Sequence, residues 1–142
     1  IRDREAALDL IDKNSVAYEA VEVAKKFVNQ SASNLHDHYG DMSPVHSLNN
    51  LAVVIWAFLS FKDSFDEAIG ETICCGWDTD CTGATVGGLI GLDKGSIPES
   101  WTDPWQGRVN TAIAGVGELK LEDLVERTCK LVDQFSSESD MD

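Results

Sequence analysis

Fourteen consecutive residues, Leu48 to Phe61, carry no charge. A helix that is apolar on every side is stable only when other elements cover it, so this run predicts a central helix with the rest of the fold built around it. Its continuous apolar part, Leu51 to Leu59, is nine residues long, well short of the ~20 that a membrane span needs. The run is therefore a core, not an anchor. With 142 residues and 15.5 kDa, the chain has the size of one ordinary domain. We expect a single unit over 1–135 and an acidic disordered tail over 136–142.

The flanking sequence supplies helices to do the covering. Asp3 to Asp12 is a short helical pattern with Ala6, Ala7, Leu10 and Ile11 on one face. Asn14 and Ser15 can cap a second helix, in which Val16, Ala20, Val23, Ala24 and Phe27 share a face. Ser31 to Asp41 is polar and reads as a loop or one loose turn, with His36 and His38 solvated. Ser43-Pro44 reads as the entry to the central helix. Ser64 to Glu67 fits a capping box for a helix reaching about Cys75. After a turn at Gly76 to Asp80, a helix from Cys81 to about Lys94 is stopped by Gly95. Leu121 to Phe135 has an apolar stripe that is expected to pack near the core. No segment sustains the alternation of a strand. The predicted class is all-α, a compact orthogonal multi-helix domain.

Charge narrows the partners. Eleven Lys and Arg against 25 Asp and Glu leave a net charge of −14. Such a surface repels phosphate backbones and anionic lipid, so no nucleic acid and no membrane is expected as partner. It suits hard divalent cations instead. Four cysteines without a Cys-x-x-Cys spacing make neither a disulfide scaffold nor a zinc site, and reduced thiols in a cytoplasmic protein are expected. Cys74 and Cys75 read as buried small hydrophobes.

The stretch Gly76-Trp-Asp-Thr-Asp-Cys-Thr-Gly-Ala84 is the one that can carry chemistry. Asp78 and Asp80 are oxygen donors of the kind Mg²⁺ or Mn²⁺ prefers. An Asp before a helix also serves as an ordinary cap, which is the commoner role for a bare Asp-x-Asp. Gly83, Gly87 and Gly91 follow at intervals of four. Glycine inside a helix costs about 1 kcal/mol relative to Ala, so something approaches this face closely, either a helix or a ligand.

Gly76 to Gly88, followed by Ile97-Pro98 and Trp101, resembles the signature of the ADP-ribosylglycohydrolases, the family of dinitrogenase-reductase-activating glycohydrolase and the ADP-ribosylarginine hydrolases. Val45 to Asn50 and Arg108 to Gly115, with Glu126-Arg127-Thr128 beyond, are similar to further segments of it in the same order. The resemblance implies an all-α fold and a Mg²⁺-dependent hydrolase, with two ions (Mn²⁺ possible in their place). It removes ADP-ribose from a modified side chain or a small molecule. It implies that Asp78 and Asp80 are catalytic and bind metal, and that position 81 is the third ligand. The family carries a hydroxyl residue there; this chain carries Cys81, a soft donor ill suited to Mg²⁺. His46 can contact substrate, or cap and pack; Asn50 can line the site, or bond a helix end; Trp77 can stack on adenine or ribose, or pack at the rim. The family's N-terminal acidic ligand motif is missing before Asp78. The chain is thus expected to be a C-terminal portion, inactive alone, whose N-terminal half lies upstream or on another chain. The alternative is an inactive relative that binds ADP-ribose or serves structurally.

Overall fold

In a computed structural model, residues 10–139 are described, and the helical class holds. Two compact units divide between Ile97 and Pro98. The first contains five helices among the described residues: α1 (Val16–Lys26), α2 (Ser33–Tyr39), α3 (Ser47–Phe61), α4 (Phe65–Cys74) and α5 (Thr79–Lys94). The second contains α6 (Glu99–Thr102), a 3-10 turn (Asp103–Trp105), β1 (Arg108–Asn110), β2 (Glu118–Lys120) and α7 (Leu121–Ser139). The helical pattern over Asp3 to Asp12 falls almost wholly outside the described residues.

The uncharged run becomes α3, and it is the core. Asn49, Ala52, Val53, Val54, Trp56, Ala57 and Phe58 are buried along it. Trp56 meets the demand that a buried indole N–H find an acceptor by donating from Nε1 to the Phe27 carbonyl at 3.0 Å, just beyond α1. From α1, Ala20 and Ala24 are buried and Val23 and Phe27 pack against the core as expected, while Val21 is buried as well and Val16 is exposed. Helix α3 begins at Ser47, not at Ser43-Pro44: His46 is its cap, its Nδ1 accepting from the Leu48 N–H at 3.2 Å. The Ser64 half of the expected capping box forms, with Ser64 Oγ accepting from the Glu67 N–H at 3.2 Å, while the Ser64 N–H donates to the Phe61 carbonyl at 3.0 Å.

The polar segment expected as a loop or one loose turn is helix α2, with Leu35 and Tyr39 buried one turn apart. Four residues of spacing bring both onto one face, enough to hold a two-turn helix against the core. Among the cysteines, Cys75 is buried, but Cys74 is exposed at the end of α4.

Helix α5 explains its glycines. A Cβ at Gly83 would meet Ile73 Cδ1 at 2.9 Å, one at Gly87 would meet Ile69 Cδ1 at 3.2 Å, and one at Gly91 would meet Ile97 Cγ1 at 3.1 Å. The small face is a packing face, and the approaching groups for its first two turns come from α4. Gly95 ends the helix in the left-handed region at φ +75°.

The second unit differs from expectation in two ways. It contains a hairpin, β1 antiparallel to β2 with Val109 opposite Leu119, braced by Arg108 Nε to Glu118 Oε1 at 2.6 Å. Three residues per strand are too few to show an alternation. The apolar stripe of α7 is not buried either: Leu124, Val125, Leu131, Val132 and Phe135 are all exposed. That helix continues past Phe135 to Ser139. Among the described residues, no helix is long and apolar enough to cross a membrane.

Candidate functional site

The carboxylates sit at the bend between α4 and α5. Cys75 closes α4, Asp78 opens α5, and Gly76 and Trp77 join them. Both linking residues are left-handed, at φ +79° and +60°. For Gly76 this conformation is free; for Trp77 it costs about 1–2 kcal/mol, which the surroundings have to offset. His36, from α2, supplies the support. Its ring stacks on the Trp77 indole with centroids 4.0 Å apart and planes 29° off parallel, and its Nε2 donates to the Cys75 carbonyl.

Asp78, Asp80 and Cys81 come together, with ligand atoms all within 4.8 Å of one another. Asp78 occupies the cap position of α5, yet its side chain makes no capping hydrogen bond. It faces Asp80 and Cys81 instead. A side-chain hydrogen bond with Asp78, and the backbone N–H groups of Asp80 and Cys81, hold the Asp80 carboxyl below the usual range. The Cys81 thiol is pushed up by its hydrogen bond to Asp78 and by the charges of Asp78 and Asp80. The shift favours the thiol over the thiolate, which is the nucleophilic form. The adjacent hydroxyl of Thr82 is buried and donates to the Asp78 carbonyl at 2.9 Å.

Next to this cluster, α3 and α5 border an open groove of about 220 Å³ lined by Ser47, Asn50, Leu51, Val54, Cys81, Thr82 and Thr85. Asn50 thus borders the cluster. Its Nδ2 donates to the Pro44 carbonyl at 3.2 Å, while its Oδ1 is buried without a partner. His46 does not line the groove; its Nδ1 is taken up in capping α3. One face of Trp77 is covered by His36, and the side chain packs against the core. The residue that sequence reasoning missed is His36. Its only signal was the Leu35–Tyr39 spacing, which places position 36 beside a buried face.

The family model for ADP-ribosylglycohydrolase matches residues 2–139. The chain belongs to the ADP-ribosylglycohydrolase family. At family level it is therefore of hydrolase type. No curated protein and no solved structure matches the chain.

Proposed function

We propose that this member of the ADP-ribosylglycohydrolase family supplies the Asp78–Asp80 half of a divalent-cation site and hydrolyses the bond joining ADP-ribose to a modified side chain or small molecule. The observation that carries the reading is Asp78: a carboxylate at a helix cap that leaves the cap unused and turns toward Asp80 and Cys81. The donor set fits Mg²⁺ or Mn²⁺ through its two carboxylates, with water completing the shell. It does not fit through Cys81, whose soft sulfur suits a hard cation poorly.

When bound, the cation supplies Lewis-acid stabilisation and orients hydroxyls and water. The chain's own residues do the rest. Hydrolysis adds water oxygen to the anomeric carbon, breaks that carbon's bond to the modified group, and returns a proton to the leaving atom. A carboxylate of the pair accepts the proton released by water. Asn50 Oδ1, buried and lacking a donor, takes a hydrogen bond from a sugar hydroxyl after modest movement of its side chain. We place the protein in the cytoplasm, with an ADP-ribosylated protein or an ADP-ribose-containing small molecule as its partner.

A second reading, binding without turnover, is favoured by one feature, the thiol at the third ligand position. The test uses the full-length natural protein with an ADP-ribosylated peptide, Mg²⁺ or Mn²⁺, and Asp78→Asn. Release of ADP-ribose that is lost with EDTA and falls at least about 100-fold in Asp78→Asn is expected, the upper range for losing an ordering ligand. Release that continues undiminished in Asp78→Asn rejects the assignment. Binding of ADP-ribose with no release favours the second reading.

A further inference from the structure

The bend that carries Asp78 and Asp80 has only two linking residues, and both are left-handed. Nothing in the local sequence favours that conformation at Trp77, because a bulky residue resists it. What holds it comes from 39 residues away in the chain. His36 touches both sides of the bend at once: Nε2 donates to the carbonyl of Cys75, the cap residue just past α4, and the ring stacks on Trp77, immediately before Asp78. A carbonyl accepts only, so the Nε2 proton is fixed by this bond and the imidazole has a single orientation. We propose that His36 is a positioning residue for the Asp78–Asp80 site: it pins the Gly76–Trp77 bend and so sets where the two carboxylates stand. The inference takes from the proposed function only that these carboxylates hold the cation.

Two features make this more than a packing contact. His36 is only half-buried on a short helix whose core contacts are made by Leu35 and Tyr39, so the attachment of α2 does not depend on it. The site is also sensitive to the bend: Asp78 follows Trp77 directly, and its side chain lacks the capping bond that would hold it independently. A turn of the Trp77 backbone toward ordinary values would redirect Asp78 while leaving α4 and α5 packed through Ile69 and Ile73.

The experiment compares wild type with His36→Ala, His36→Phe and His36→Gln in the full-length natural protein. Phe keeps the stack and loses the donor; Gln keeps a donor and loses the stack. Three quantities are read: Mn²⁺ affinity by electron paramagnetic resonance of the free ion, amide exchange at residues 76–80, and thermal melting. His36→Ala is expected to weaken Mn²⁺ binding about tenfold or more, as removal of an outer support typically does. It should speed exchange at the bend by a similar factor, with melting little changed, and Phe and Gln should each recover part of both losses. Unchanged exchange at the bend in His36→Ala overturns the inference whatever the metal does. Faster exchange with unaltered Mn²⁺ affinity, in a protein whose binding is abolished by Asp78→Asn, also overturns it. A wild type that binds no Mn²⁺ overturns the cation reading of the proposed function, and the positioning role falls with it; the exchange data then report only a brace on the bend. If the fold of His36→Ala fails, the Phe and Gln variants decide by the same two readouts.

Discussion

Two thiols six residues apart are both pushed up, for different reasons: burial at Cys75, neighbouring carboxylates at Cys81. Cys75 is 2% exposed, and burial pushes its thiol up to about 11. Folding therefore favours the protonated form. As pH rises above the ordinary thiol range, the unfolded chain ionises first, so stability falls progressively until about 11 is reached. Tyr39, also raised by burial and by Glu19, acts in the same direction. Cys75→Ala should flatten the alkaline limb of a denaturant-melting series against pH, and Cys75 should resist a thiol reagent until the protein unfolds. Cys81 is exposed and is weakened as a donor to hard cations by its chemistry, not by access. Cys81→Thr is expected to tighten Mg²⁺ binding about tenfold, in the range of other ligand-environment changes, as calorimetry would show. Equal Mg²⁺ affinity in both proteins would show that position 81 stands outside the shell.

Helix α5 offers a test within one element. Gly87 faces Ile69 and Phe65, whereas a Cβ at Gly88 would meet nothing within 4 Å. Gly87→Leu should destabilise by about 1–3 kcal/mol through overpacking. Gly88→Ala should stabilise by about 0.5–1 kcal/mol, since Ala is the better helix former and the space is open. Melting of the two variants in opposite directions is the expected outcome. What the sequence disclosed at this scale follows from how local each signal is. The uncharged run, the Ser64 cap and the Gly95 stop act within a few residues, and α3, α4 and the end of α5 were legible from them. Helix α2 was not, because its polar surface outnumbers the single Leu35–Tyr39 pair that holds it. Asp78 and Asp80 were legible as a pair. That His36 braces the bend depends on a contact across 39 residues of chain, which no local pattern encodes. The stripe on α7 shows the converse: amphipathicity states which face a helix would bury, not that a partner covers it.

Over the whole molecule, burial is distributed unevenly between the units. Every described residue classed as buried lies before Pro98. Amide exchange should follow that division: slowest in α3 around Val53 and Trp56, and fast through the hairpin and α7, whose backbone hydrogen bonds face water. Protection in α7 equal to that of α3 would show that a covering partner had been present in the sample. The glycine face of α5 has a mechanical consequence. Helices usually interlock because side-chain ridges enter grooves and fix the sliding register. Along Gly83 and Gly87 there are no ridges, only backbone against the tips of Ile73 and Ile69. Such a contact resists separation but offers little resistance to a shift along the helix axis. The glycine face therefore leaves the axial position of α5, and with it the height at which its leading carboxylates are presented, to the buried side chains of Val86 and Ile90 and to the two left-handed residues that tie the helix to α4.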